Sequence, residues 1–578
     1  MKLKYFSIFI FLFLLICSAN AIYAASDDNI LELDQSDDIV SMDDNVAIPV
    51  LGDDSANPND PNTNPDNPNT NPDNPNTNPD NPNTNPDNPN TNPDNPDDPN
   101  TNPDDPGTGG TDNPSTGGTN TGNSSSSSSS SSSKTTTKSN VTNVSSYSGL
   151  VKALNNKKKN IALTANIKIS KTIVIKYNVV IDGKGHTIDA QKKTRVFKIS
   201  SATVTLKNLK IKKAKSDKGA AVYGYKTTLT LKKCTFTSNT ATQNGGAVYI
   251  YVGKLTVGGS TFKYNVAYNG GGAIYVSTTK LIIKNSTFEK NKVQSSKKSG
   301  HGGAVYVCKK TSSIENSTFK TNTCLSKACK SHGKATKYQF SGGAIYVSGG
   351  TSHNLTKCKL ISSKATNHGG ALYYYQPASV ILNKCTFKYN KVVYEDGGAI
   401  SSNAKKLVIK NSYFYKNHAY EDGGVMDSLS LNKNKAYITV TGCNFKANTA
   451  YKGAGTFWMG KKTVFTFKNN NFTSNKAGMG GALFAEATTA KITNCIFQGN
   501  QAKNLPSWKV RNKAGKILKH YGGALMVQKY TVTITKCVFK KNSAAGGGAI
   551  CKMGGKLKIS GTKFSGNTAK SGPKIKKI

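Results

Sequence analysis

Between Phe236 and Asn567 the pattern Phe-x-x-Asn occurs at least eleven times, at Phe236, Phe262, Phe288, Phe319, Phe387, Phe414, Phe445, Phe472, Phe497, Phe539 and Phe564. Undisturbed copies lie 25 to 27 residues apart, and a degenerate copy at residues 360–363 fills the one long gap. A unit so short and so self-similar cannot bury a core alone, so its copies must stack on one another. It is too short for a pair of helices, and its apolar residues come in runs of four to six rich in β-branched and aromatic types. Strands are therefore predicted, and a helical solenoid is disfavoured.

Within one unit, Gly271-Gly272-Ala273 leads into Ile274-Tyr275-Val276, with Ile274 and Val276 on one face, and Leu281-Ile282-Ile283 continues after a short turn. Two or three short strands per coil, each pairing with its counterpart about 4.8 Å away, make an all-β, single-stranded parallel β-helix of about 14 coils, roughly 65 to 70 Å long. The paired glycines suit a corner that needs positive φ. At the other corner Asn is expected to occupy the left-handed region and bond to the Asn above and below, while Phe forms an internal column. Residues 148–157 carry Leu150, Val151 and Leu154 at helical spacing, as a short capping helix over the first coil would. Residues 160–211 read as two or three less regular opening coils. The long spacers at 292–300, 323–341 and 501–521 all fall between a Phe-x-x-Asn and the next Gly-Gly, so their loops should emerge on one side of the rod.

The ends differ in kind. Lys2 and Lys4 precede an apolar run over 6–16, and Ala19, Ala21, Ala24 and Ala25 offer small-residue cleavage sites, so residues 1–25 read as a secretory signal peptide. No other stretch approaches the roughly 18 apolar residues of a membrane helix, and no transmembrane helix is expected in the mature chain. Residues 26–139 hold an acidic segment, a Pro/Asn-rich seven-residue period and ten consecutive serines from Ser124, the composition of a disordered, extended stalk. The β-helix is assigned to 140–578. Charge divides at the same joint. Of 32 acidic residues 21 lie before Lys134, against 2 of the 77 basic ones, so the rest of the chain carries 11 acidic and 75 basic residues, about +64. Such a field attracts polyanions. Only Arg195 and Arg511 are arginines, and a diffuse lysine coat argues against specific nucleic-acid recognition.

Eleven cysteines suggest disulfides until their register is read. Cys234, Cys358, Cys385, Cys443, Cys495 and Cys537 each stand two residues before the repeat Phe or its substitute Leu360, where other copies have serine, and read as buried free thiols. Cys324 and Cys329 could pair with each other. Alternation along the strand after Gly-Gly-Ala turns Tyr223, Tyr249, Tyr275, Tyr306, Tyr346 and Tyr373 to the outer face, one per coil, either as a platform for sugar rings or polyanions or as a row that stabilises the sheet. Glu395-Asp396 and Glu421-Asp422 precede Gly-Gly in consecutive units, and stacking would gather them as a weak calcium candidate or as surface acids paired with lysines. Asp182 and Asp189 stand in the opening coils. Glycoside hydrolysis needs two carboxylates in one cleft, and the small acidic inventory argues against a catalytic site. No catalytic residue, cofactor or firm metal site is assigned.

Gly271 to Ile274 together with Phe288 to Asn291 resembles the repeats of chlamydial polymorphic outer-membrane proteins. The layout of signal peptide, stalk and the Ile181-Asp182-Gly183-Lys184-Gly185-His186 opening resembles the adhesin-like surface proteins of methanogenic archaea. That resemblance covers about 140–578 and implies a right-handed β-helix and surface adhesion. The chain departs from the chlamydial pattern in showing no membrane barrel after its repeats. The expectation is an exported, secreted or cell-surface, non-catalytic adhesin. Its partners would be glycans or anionic surface polymers of a host, a neighbouring cell or its own wall. A polysaccharide lyase or hydrolase and a structural surface-layer component are the alternatives.

Overall fold

One turn of the chain shows why the period is about 26 residues. From Val248 the backbone runs through strands Val248–Gly258, Thr261–Lys263 and Val266–Ala267, then returns at Ile274 paired in parallel with Val248. The computed structural model describes residues 140–578 except 296–297, 327–338, 429–434, 487, 504–509, 512–516 and 519. The expected signal peptide and stalk lie outside the described residues. Repetition of the turn builds three parallel sheets of 28, 15 and 11 strands, so the rod has about 15 coils where the spacing predicts 14. Among the described residues one pair, Val510–Arg511 with Ile517–Leu518, is antiparallel; it lies within the spacer at 501–521.

The interior is built from columns. Phenylalanines of successive coils stack face to face with centroids 4.6 to 5.2 Å apart, matching the strand spacing, and Leu360 fills the register position between Phe319 and Phe387. All are fully buried except Phe564 in the last coil. Each adds about 1.5–3 kcal/mol of apolar burial that no isolated coil could obtain.

The corner asparagines are inside as well. Asn265 donates from Nδ2 to the Phe236 carbonyl (3.0 Å) and to Asn291 Oδ1 (2.9 Å), and its own Oδ1 accepts from the Asn239 N–H (3.1 Å). The left-handed conformation expected of these asparagines belongs instead to the residue before each: Ser238, Tyr264, Lys290 and Thr321 have φ of 53 to 57°. That conformation costs a residue other than glycine roughly 1–2 kcal/mol. The amide ladder beside it offsets the cost by satisfying corner N–H and C=O groups that would otherwise be buried without partners.

Two further details depart from the sequence reading. In three coils the two expected strands are one, as in Val222–Lys232, Val248–Gly258 and Ile274–Lys284, with the turn compressed to a single left-handed residue at Lys226, Val252 or Thr278. Cys324 is a free buried thiol donating to the Gly300 carbonyl (3.2 Å), and Cys329 lies outside the described residues. The six in-register cysteines are buried free thiols, as expected.

A helix, α1 (Tyr147–Asn155), covers the open first coil. Ser146 caps it by accepting the Gly149 N–H, and Leu150, Ala153 and Leu154 face the core, with Val151 at its margin. The described ends of the long spacers leave and rejoin the rod at the corner between the 11-strand sheet and the 28-strand sheet, so the insertions share one side.

Candidate functional site

The outer face of the largest sheet carries the aromatic row. Tyr223, Tyr249, Tyr275, Tyr306, Tyr346 and Tyr373 fall in one register column across six coils. Consecutive ring centroids lie 5.5, 5.1, 4.5, 4.9 and 5.2 Å apart, and the tilt between rings grows from 6° at the first pair to 41° at the last. The rings are half-buried, and Tyr346, beneath the His301 ring at 4.3 Å, is only 6% exposed. Because each face rests on the next ring, the row shows its edges to solvent. Stacking a sugar needs an open face, and within the row the faces are taken.

The two ends of the row are different. At Tyr223 the Arg195 guanidinium sits over the ring, 5.1 Å from its centroid, held there by Asp217 and by the Lys218 and Gly219 carbonyls. Beyond Tyr373 the column continues as Ser401 and then Asp427, whose short side chains cannot cover a phenol ring. The space they leave is a cleft of about 430 Å³, lined by Tyr346, Tyr373 and Tyr375, by His301 and His368, and by Ser401, Asn403 and Asp427 among others. After Asp427 the column turns apolar again through Trp458, Phe484, Met526 and Cys551.

Asp427 is 4% exposed and accepts a hydrogen bond from the Ser401 hydroxyl at 3.5 Å. Burial, reinforced by the Asp396 charge, pushes its carboxyl up to about 8. Burial likewise pushes Asp396 up to about 6 and raises Asp422 well above the ordinary carboxylate range. Burial works against the charged ring of His368, but its bond to Glu395 (2.8 Å) and the nearby carboxylates outweigh that and raise it. Burial alone lowers His301 to about 4.

The four acids weighed as a calcium candidate are each engaged by protein. Glu395 binds His368 and Asn367, Glu421 binds Lys452, Asp396 accepts the Asp422 N–H (2.9 Å), and Asp422 accepts the Gly453 N–H (2.7 Å). The two aspartates thus act as corner acceptors between coils. Among the described residues no three His, Cys, Asp or Glu side chains are grouped to hold a metal ion. Asp182 and Asp189 are corner acceptors too, taking the Lys184 and Gln191 N–H groups and the ammonium groups of Lys207 and Lys212.

Sequence reasoning missed Ser401, Asp427 and the two histidines of the cleft. A signal for the first two was present: Gly397-Gly398-Ala399-Ile400 and Gly423-Gly424-Val425-Met426 place Ser401 and Asp427 where earlier coils carry tyrosine.

Comparison with known proteins agrees with this architecture. Residues 331–497 match the right-handed β-helix region, residues 141–294 the pectate lyase-like adhesive domain, and residues 536–552 the repeat of Chlamydia polymorphic membrane proteins. No curated protein matches the chain. Among solved structures, L. reuteri 53608 SRRP is 13% identical over 76% of this chain and 100% of its own, with a TM-score of 0.18, at which the likeness carries no argument. No helix among the described residues is long and apolar enough to cross a membrane. With an adhesive-domain match at one end, a membrane-protein repeat at the other and parallel coils between, the chain is a surface adhesin-like, right-handed parallel β-helix.

Proposed function

We propose that the protein is an exported, non-catalytic adhesin whose lysine-coated rod holds anionic polymers and glycans of a partner surface or of its own wall. The observation that carries this reading is where the acids are. Ten of the 11 acidic residues after Lys134 are tied within the rod, by a lysine, arginine or histidine partner or by a hydrogen bond from backbone or hydroxyl. The 75 basic residues are therefore left with little to neutralise them, and a polymer of opposite charge meets a continuous field. The non-catalytic part is supported by the cleft, where Asp427 is the one carboxyl group among the described lining residues, whereas glycoside hydrolysis needs a pair.

The test is binding of the full chain to an immobilised acidic polysaccharide at rising salt. Screening should weaken it by about tenfold or more as the Debye length shrinks from about 10 Å toward 3 Å. Binding indifferent to salt would remove the lysine field as its cause, and turnover of the polysaccharide would overturn the non-catalytic reading.

A further inference from the structure

The cleft at the end of the tyrosine row has a chemistry opposite to that of the rod around it. Among the described residues no lysine or arginine lines it, and its lining carboxyl is the buried Asp427, held protonated to well above the ordinary carboxylate range, with Asp396 close by and Glu395 bound to His368. An anionic group would leave water there with no lysine or arginine among the described lining residues to pair with it, so the polymer attracted by the lysine coat is a poor fit here. Its volume of about 430 Å³ suits one or two ring-sized groups.

Three observations converge on what would fill it. The Tyr373 ring ends the tyrosine column with Ser401 at the next register position, and the rings of His368 and Tyr375, 5.8 and 6.4 Å from it and inclined by 19° and 30°, extend it into an aromatic wall of the cleft. Asp427 and the hydroxyl and amide groups of Ser401, Ser402 and Asn403 supply acceptors and donors at the same end. His301 and His368 also line the cleft, and the Nδ1 of each is buried without a hydrogen-bond partner, so the wall holds unused polar capacity. One apolar face beside a set of hydroxyl-bonding groups is what a pyranose ring presents a use for, with its C–H face on the phenol and its rim hydroxyls on the polar side.

We propose that this cleft binds an uncharged hexose residue, packed against the aromatic wall of Tyr373 and Tyr375 with its hydroxyls bonded to Asp427 and the Ser401–Asn403 strand end. It is a second site, independent of the lysine coat, and shares with the adhesin reading only the choice of a glycan as ligand. Its affinity comes from contact and hydrogen bonds, so salt should leave it nearly unchanged while salt strips the polyanion.

The experiment is an array of neutral hexose oligosaccharides and uronic-acid oligosaccharides probed with the full chain at low and high salt. Retention of neutral sugars at high salt is expected. Ser401→Tyr, which extends the stack by one ring into the cleft, should abolish that retention and leave low-salt polyanion binding intact. Asp427→Ala removes the carboxyl and should weaken neutral-sugar binding about tenfold, which keeps the test decisive if the larger side chain at 401 disturbs the fold. Absence of any salt-resistant neutral sugar, or wild-type binding by both variants, overturns the site. Loss of polyanion binding by the wild-type chain at low salt would instead overturn the lysine-coat reading and leave this one standing.

Discussion

Coils 223–373 and the two that follow them share one backbone and differ most in one outer column. Inside, both stretches stack phenylalanine on phenylalanine except at Leu360, and run the corner asparagines as a ladder except at Ser363. Outside, the first stretch carries six stacked tyrosines and the second Ser401 and Asp427. An inward position is confined by the coils above and below, and each must accept what its neighbours require. An outward position meets solvent on one side and is free to change. The cleft exists because that freedom was used at two successive coils, while the phenylalanine column continued beneath it, although the inward position of the same strand also changes there, from Val347 through Tyr374 to Ser402 and Ser428.

That contrast predicts its own largest effect. Phe288→Ala beneath the tyrosine row and Phe414→Ala beneath the cleft should each cost about 3–5 kcal/mol in urea denaturation, because both rings are fully buried between two others. If the two costs differ by more than about 1 kcal/mol, beyond the scatter of independent sites, the interior is not uniform and the comparison fails.

A second prediction sharpens the outer difference through pH. Asp427 has an ordinary carboxyl value of 3.8 when free but about 8 in the fold, where it is buried beside Asp396 with His368 opposing the shift. The native state therefore binds a proton that the unfolded chain has lost, and this group's contribution makes stability fall as pH rises from about 4 to about 8. Asp427→Asn should match the wild type near pH 4 and gain on it toward pH 8, by at most about 1.4 kcal/mol per pH unit. Urea midpoints that move in parallel across that range would mean the carboxyl is not held protonated.

The smallest effect separates the middle of the row from its end. Tyr275→Ser removes two close ring contacts at 5.1 and 4.5 Å, and Tyr373→Ser removes one along the column at 5.2 Å with a 41° tilt and two more distant ones, to His368 at 5.8 Å and Tyr375 at 6.4 Å. At about 0.5–1.5 kcal/mol per pair, the mid-row change should destabilise more, while the end change should cost more sugar binding. The reverse ranking in thermal melts would show that the row does not stabilise by stacking.

Much of the fold was legible because its determinants recur. Phe236, Phe262 and Phe288 at equal spacing reveal a coil, and the coil's length then places Tyr223 beside Tyr249 before any coordinates are seen. The cysteine register was readable for the same reason, since Cys234 and Ser260 occupy one small inward site. Details that do not recur, or that depend on angles within a turn, were not readable. The left-handed residue is Tyr264 and not Asn265, because the amide must point inward to reach Phe236 and Asn291, and spacing does not encode that direction.

By itself the sequence determined the period, the parallel stacking, the inner columns and the sharp division of charge, because each follows from residue type and spacing along one chain. Only the tertiary structure decided that the tyrosines spend their faces on one another, that Asp396 and Asp422 turn to backbone N–H groups of neighbouring coils, and that a cleft opens at Ser401. Those outcomes depend on distances of a few ångströms between residues about 26 positions apart, where ring tilt, burial and hydrogen-bond direction choose among arrangements that share one spacing.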